Sequence, residues 1–250
     1  MRKIMVALLV FFVVMAFYIG YETKPSAELK IFREGTFSDS TNLLGKVSLK
    51  LPAVDKNGKG VLGNLEVELT KGNGGFYVKI DKENPIINPD TQTSFRTAVE
   101  TAKKITGQSL SDKNIYYSIT ADSEMVGGRS AGAAITVATI ALLDGEKLKE
   151  QMIVTGTVEE DGSIGAVGNV LEKAEVSKEN GFTTILVPEG EAVQRVPVEK
   201  CSEQRMGNAI IRQCSTTFKE VDIEKETGIK VIEVRNVKDA YELMKAPSGR

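Results

Sequence analysis

The 250-residue chain contains no histidine and no tryptophan, and it has only two cysteines. Without histidine, neither a Ser-His-Asp catalytic triad nor a histidine-ligated metal site can form. The formal net charge is −2, and no basic stripe with interleaved aromatic residues occurs, so the composition predicts no nucleic-acid partner. A Walker-A phosphate loop, G-x-x-x-x-G-K-[ST], is also missing. These absences predict no metal and no cofactor, and they leave open a nucleophile whose base is not histidine.

The chain begins with an uncharged apolar run. Arg2 and Lys3 precede Ile4–Tyr21, a stretch of 18 residues that is near the lower limit for crossing a bilayer. The positive charges before it favour an N-terminus on the cytoplasmic side. We therefore predict a retained signal anchor over residues 1–21, a single pass through the cell membrane and an extracytoplasmic body. The alternative is a cleaved signal peptide, for which Val14-Met15-Ala16 is a poor cleavage site.

The remainder divides into a tether and one folded domain. Residues 22–45 are polar and charged, which is typical of a linker. Residues 46–246 fit the size of one domain, in which a strand-rich section precedes alternating strands and helices. The predicted fold class is therefore α+β, or mixed α/β. Strands are predicted at Val47–Leu51, Leu65–Thr70, Phe76–Ile80, Ile115–Thr120, Met152–Val158, Ser163–Val167, Thr184–Val187 and Val231–Val234, and helices at Thr91–Thr106, Ala133–Leu143, Asn169–Asn180 and Val237–Met244.

Local signals mark the ends of these elements. Asp90 is predicted to cap the helix Thr91–Thr106, and Gly107 to end it. Asn169 is expected to cap the N-terminus of the helix Asn169–Asn180, and Gly181 is expected to end it. Asp161-Gly162 predicts a hairpin turn between two strands.

A glycine-rich turn, Gly127-Gly128-Arg129-Ser130-Ala131-Gly132, leads into the apolar helix at Ala133–Leu143. Backbone N–H groups at such a turn lack helical partners and, with the helix dipole, favour negative charge. That environment suits a phosphate or the oxyanion of an acyl-transfer intermediate. The alternative is a turn that only lets the backbone bend.

Lys173 is the candidate base if Ser130 is a nucleophile. On its helix it shares a face with Val170, Val176 and Ser177, which is unusual for a lysine. An amine kept neutral by burial can accept the serine proton. The alternative is an apolar stem whose amine reaches water near the start of the helix.

Four stretches together match a known family: GGRSAGAA, VTGTV, DGSIGAVGNVLEKAEVSKENGF and TTILVPEGE. They resemble the proteolytic domain of Lon proteases, and most nearly the membrane-attached Lon-like proteases that lack the ATPase module. The resemblance is strong over residues 126–191 and weaker over residues 47–120. It implies that Ser130 is the nucleophile, that Lys173 is its partner and that Thr155 holds the lysine amine. The backbone amides of Gly128, Arg129 and Ser130 are then expected to bind the oxyanion.

The activity implied by this resemblance is that of an ATP-independent, membrane-anchored serine endopeptidase. Its substrates would be unfolded or flexible protein segments. Lon-type domains assemble into rings, commonly hexamers, so the resemblance also implies a homo-oligomer.

The sequence departs from the family pattern around the serine. Gly127 stands where many members have Asp, Arg129 where many have Pro or Asp, and Thr157 where many have Glu. Arg129 beside the nucleophile either favours acidic positions in the substrate or simply faces solvent.

Cys201 and Cys214 lie in an insertion at about residues 196–218. Two thiols without histidine are too few ligands for a structural zinc site. In an extracytoplasmic setting a disulfide is expected between them, and the alternative is two unlinked thiols.

Two other functions remain open at this point. Small-molecule kinases of the galactokinase and homoserine-kinase type have a related fold and a glycine- and serine-rich phosphate loop that GGRSAGAA faintly resembles. A catalytically silent Lon-like binding module is the third reading, because the departures flank Ser130.

Overall fold

The structure is a computed structural model that describes residues 42–79, 86–121, 125–206 and 209–247. The predicted signal anchor and most of the predicted tether lie outside these residues. Within the described ranges, no helix combines the length and the apolar character needed to cross a membrane.

The described residues form a mixed arrangement of strands and helices, which agrees with the predicted class. The strands are β1 (Leu43–Val54), β2 (Gly60–Lys71), β3 (Phe76–Val78), β4 (Ile86–Ile87), β5 (Lys113–Thr120), β6 (Met125–Val126), β7 (Met152–Val154), β8 (Thr157–Val158), β9 (Ile164–Gly165), β10 (Thr184–Pro188), β11 (Val193–Met206), β12 (Ala209–Asp222) and β13 (Lys230–Val234). The α-helices are α1 (Pro89–Thr106), α2 (Gly132–Asp144), α3 (Val170–Glu179), α4 (Ile223–Thr227) and α5 (Val237–Met244), and Arg129–Ala131 form a 3-10 turn.

Helix α2 is the centre of the larger core. All of its residues from Gly132 to Leu143 are buried, as its small and apolar composition predicts. A four-stranded sheet in the order β1-β2-β5-β3 packs with it; β1, β2 and β5 are antiparallel, and β3 is parallel to β5. The burial of this helix fixes the turn that precedes it, which contains Ser130.

A second sheet supports the helix that carries Lys173. Strands β7, β10 and β13 are parallel, with β10 in the middle. A small apolar cluster joins this sheet to α3 and α4, and it consists of Ile153, Val170, Ala174, Ile185, Val187, Ile223 and Ile229. Helix α3 therefore rests on a core of its own beside the larger one.

The cap of α1 differs from the prediction. Asn88, not Asp90, is the N-cap, because its Oδ1 accepts a hydrogen bond from the Thr91 amide at 2.9 Å. Pro89 follows at the first helical position, where its missing N–H is no loss. Asp90 lies inside the first turn. Gly107 ends the helix in the left-handed conformation, as predicted.

The predicted strand at Met152–Val158 is interrupted at Thr155 and Gly156. The Gly156 amide donates to the Ser130 carbonyl at 3.0 Å, and the Gly156 carbonyl accepts from the Ala133 amide at the same distance. This backbone therefore binds the start of α2 instead of continuing a strand. The hairpin turn at Asp161-Gly162 is confirmed, since β8 and β9 pair on either side of it.

Strands β11 and β12 form a long two-stranded ribbon. They pair antiparallel from Val193 opposite Asp222 to Met206 opposite Ala209, beyond the limits predicted for the insertion. Cys201 and Cys214 face each other across the ribbon and are joined by a disulfide.

Candidate active site

The Ser130 turn is held from the N-terminus of α1. The Thr91 hydroxyl donates to the Gly128 carbonyl at 3.0 Å, and Asn88 Oδ1 lies 3.0 Å from the same hydroxyl. Gly128 has a backbone φ of 97°, which residues with a side chain rarely adopt. Asn88 was missed by sequence analysis, because an N-cap signal does not reveal a contact with a turn forty residues away.

The turn is also held from the β7–β8 connection. The Ser130 carbonyl accepts from the Gly156 amide at 3.0 Å and from the Thr155 hydroxyl at 3.3 Å. Thr155 is fully buried. The backbone at the predicted nucleophile is thereby fixed by two elements that are distant in the sequence.

Lys173 is buried, with only 4% of its surface exposed. It lies on the buried face of α3, and its Nζ donates to Thr155 Oγ1 at 3.4 Å. Such burial argues against the alternative of an amine that reaches water. Asn169 precedes the helix as predicted, although it adopts a left-handed conformation with φ of 61° and makes no side-chain capping bond.

The structure brings Ser130 and Lys173 to one cleft. Gly127, Gly128, Arg129 and Thr157 line the same cleft, as do Ala53, Val54, Asp55 and the segment from Ala166 to Asn169. The end of β1 had no signal for a site in the sequence, because only the fold brings it beside residues that follow more than 70 positions later.

The electrostatics of the cleft favour a neutral lysine. Burial lowers the pKa of Lys173 from its ordinary value of 10.5 to about 8, although the nearby carboxylates of Glu172 and Glu191 oppose this effect. Burial raises the pKa of Glu191, and Lys173 opposes that shift. A substantial fraction of Lys173 is therefore unprotonated near pH 8. Glu191 was not among the predicted site residues, because nothing in the local sequence places it near the amine.

The structure shows the contacts of two residues at which the sequence departs from the family pattern, Gly127 and Arg129. A Cβ atom at Gly127 would lie 2.6 Å from Asn88 Nδ2, so the turn needs glycine here unless Asn88 moves. Arg129 binds Glu159, with Nη2 at 3.1 Å from Oε1, and both side chains are about half exposed. Arg129 thus lies at the edge of the cleft with a carboxylate partner already in place.

Residues 55–221 match the family model of the Lon protease (S16) C-terminal proteolytic domain. The chain belongs to this family. It is 32% identical to the archaeal Lon protease of Methanocaldococcus jannaschii over 90 residues. This aligned stretch covers 36% of this chain and 14% of that relative. The archaeal Lon protease of Thermoplasma volcanium is 32% identical over 87 residues, or 35% of this chain and 13% of the relative. The Lon protease of Fusobacterium nucleatum is 26% identical over 150 residues, or 60% of this chain and 18% of the relative.

The resemblance to the proteolytic domain of Lon proteases is thus confirmed. This Lon-type domain spans less than a fifth of the length of each of these three relatives. Membership of the family indicates a serine peptidase and favours that reading over a small-molecule kinase.

Proposed function

We propose that this Lon-type domain is an ATP-independent serine endopeptidase in which Ser130 is the nucleophile and Lys173 is its base. The observation that carries the proposal is that both residues line one cleft and that the lysine is buried, with a pKa of about 8. Activation of a serine without histidine requires a base of this kind, a buried amine whose pKa is lowered toward neutral pH.

The reaction begins when neutral Lys173 takes the proton from Ser130 Oγ. The oxygen then attacks the peptide carbonyl carbon, and a tetrahedral oxyanion forms. As the C–N bond breaks, Lys173 returns its proton to the leaving amine, and an ester remains on Ser130. Lys173 next takes a proton from water, whose oxygen attacks the ester carbonyl, and the serine oxygen leaves with that proton.

The oxyanion is proposed to bind the backbone amides of Gly128, Arg129 and Ser130. These amides precede and begin the 3-10 turn that leads into α2, where N–H groups have no helical acceptor. The dipole of the buried helix adds a favourable potential for negative charge at this end. Preorganised donors of this kind stabilise the charge that develops in the transition state.

Thr155 is proposed to orient the base. Its hydroxyl oxygen accepts a hydrogen bond from Lys173 Nζ, and the same hydroxyl donates a hydrogen bond to the Ser130 carbonyl. Thr155 therefore connects the amine to the backbone of the nucleophile. It touches both partners and is fully buried, which limits its rotation.

The proposal also covers the cellular location, the substrates and the assembly of the enzyme. The apolar run Ile4–Tyr21 would tether the domain to the outer face of the cell membrane. The disulfide between Cys201 and Cys214 supports this location, since such bonds persist in oxidising compartments. Unfolded or flexible segments of proteins are the proposed substrates, and a homo-oligomeric ring, commonly a hexamer in this family, is the proposed assembly.

We expect the full chain in detergent to hydrolyse unfolded casein without ATP, at a rate that rises with pH. Protonated Lys173 cannot accept the serine proton, so kcat/KM should climb through an apparent pKa near 8 and then level off. Glu191→Gln should move that apparent pKa downward, because the Glu191 charge raises the pKa of the lysine.

Glu179→Gln is the matched control, since Glu179 lies on the same helix and is not among the charges that shift the pKa of Lys173. Its profile should coincide with that of the parent. A flat profile from about pH 6 to about pH 9 would contradict the lysine as base. A folded parent without peptidase activity would instead support a silent binding module.

A further inference from the structure

The β11–β12 ribbon leaves the body of the domain after a short attachment. At its base, the Leu171 amide donates to Gln194 Oε1 at 2.9 Å, and the Ile223 amide donates to the Ala192 carbonyl at 3.0 Å. Farther out, residues 197–206 and 210–216 are exposed on both strands. Fourteen paired residues extend about 45 Å, at roughly 3.3 Å per residue. The outer part therefore projects into the surroundings with both faces open.

The end of this ribbon is apolar, although solvent surrounds it. We define the ribbon tip as Arg205, Met206, Ile210, Ile211 and Arg212. Met206 is 62% exposed, Ile210 is 64% exposed and Ile211 is 48% exposed. Side chains of consecutive residues in a strand point to opposite faces, so Ile210 and Ile211 lie on opposite faces of the ribbon.

Apolar side chains on both faces indicate what covers the tip. A protein surface docked against one face would leave the isoleucine on the other face in water. An apolar medium that surrounds the end of the ribbon removes both from water. A lipid layer is such a medium.

The charges around the apolar residues fit a lipid headgroup region. Arg205 and Arg212 flank them in the sequence, and residues 204–213 contain no Asp or Glu. Arg205 lies opposite Ile210 in the register, and Arg212 lies opposite Glu203, just outside this range. Arginine side chains place their charge at the level of lipid phosphates while their stems stay in apolar surroundings. The arrangement is typical of a shallow insertion at the membrane interface.

We propose that the ribbon tip docks into the headgroup region of an anionic membrane, the same membrane to which residues 1–21 would tether the chain. This inference goes beyond the peptidase reaction and rests on the proposed tether. A few apolar side chains bind membranes weakly alone, and a tether raises their effective concentration at the surface. The disulfide between Cys201 and Cys214 holds the two strands together, which matters because an isolated two-stranded ribbon is only marginally stable.

The consequence is a fixed position of the cleft above the membrane. The base of the ribbon binds the Leu171 amide, two residues before Lys173 on the same helix. Docking at one end of the ribbon would thus orient the helix that carries the proposed base. Membrane-proximal segments of other proteins would then be the substrates within reach.

The absence of tryptophan from the chain allows a direct test. Met206→Trp places a single reporter at the ribbon tip. Phe218→Trp places the matched control at a 70% exposed position about a third of the way from the base of the same ribbon to its tip. Each full-length variant is reconstituted into phosphatidylcholine–phosphatidylglycerol vesicles, with and without brominated acyl chains. We expect Met206→Trp to emit at shorter wavelength and to lose at least half of its fluorescence to the brominated lipid, and Phe218→Trp to show neither change.

Other results overturn the proposal in distinct ways. Equal quenching of both reporters would mean that the ribbon lies flat on the bilayer. A concentration-dependent blue shift of both without bromine quenching would identify a protein partner, such as a second copy of the chain. No quenching of Met206→Trp, or a full chain that does not sediment with vesicles, would reject membrane docking.

A charge variant adds an independent readout. Arg205→Gln combined with Arg212→Gln in the Met206→Trp background should reduce quenching at least twofold on anionic vesicles. Unchanged quenching would contradict the role given to the arginines. Casein hydrolysis in detergent reports on Ser130 and Lys173 separately, so a failure of docking and a failure of the peptidase proposal are distinguishable.

Discussion

Lys173→Met is expected to lower kcat by about 1,000-fold or more while the domain stays as stable as the parent, or becomes more stable, at neutral pH. General-base catalysis contributes roughly 100- to 10,000-fold, and the residual rate would come from binding and oxyanion stabilisation alone. Methionine has a similar length and fills the same buried space without an amine to desolvate. Rates on a casein-derived peptide and chemical denaturation give the two readouts.

The stability effect has a defined sign with pH. The pKa of Lys173 is about 8 in the folded protein and 10.5 ordinarily, so the unfolded chain binds more protons between those values. The unfolding free energy of the parent should therefore rise as pH increases from about 8 to about 10.5. The advantage of Lys173→Met at neutral pH should shrink over the same interval.

Lys178→Met is the matched control for this experiment. Lys178 lies on the same helix, but its Nζ donates to the Gly228 carbonyl on the exposed side. Its loss should leave kcat within about twofold of the parent, since exposed polar contacts contribute little to the stability of the fold that positions Lys173. Near-parental kcat in Lys173→Met would contradict the base assignment, and a loss of several kcal/mol in stability would mark the lysine as structural.

Gly60→Ala is expected to reduce stability and activity together. A Cβ atom at this position would lie 2.3 Å from the Glu172 carbonyl oxygen and 2.9 Å from Val176 Cβ. Helix α3 must then move away from β2, and Lys173 moves with it. Overpacking of this kind costs about 1–3 kcal/mol, and a shift near 1 Å at catalytic groups can cost about 100-fold in rate.

Gly63→Ala on the same strand provides the comparison. Its Cβ atom would lie 3.4 Å from the Thr120 carbonyl oxygen, which is ordinary contact, so both stability and rate should stay close to the parent. Urea unfolding and peptide hydrolysis of the two variants would be run side by side. Equal behaviour of the two variants would show that the approach of β2 to α3 does not set the position of Lys173.

The sequence predicted the elements whose patterns come from burial within one segment. Apolar alternation located β1 and β2, and uniform small apolar residues located the fully buried α2. The position of Lys173 on the buried face of α3 also followed from helical spacing. These features depend on neighbours within a few residues, which a single sequence displays.

The features that escaped prediction depend on distant partners. The strand through Thr155 and Gly156 breaks because its backbone binds the Ser130 turn, 25 residues earlier. Asn88 caps α1 in preference to Asp90, and through Thr91 that cap supports the carbonyl of Gly128. Both are capable caps by residue type, so local preference could not choose between them.

The most direct test of the central claim is to find the acyl group on the enzyme. A peptide p-nitrophenyl ester would be mixed with the full chain in detergent without ATP, quenched in acid within the first turnover, digested and mapped by mass spectrometry. We expect an acyl adduct on Ser130 that is absent in Ser130→Ala and forms far more slowly in Lys173→Met. An adduct on another residue, or turnover that persists in Ser130→Ala, would contradict it.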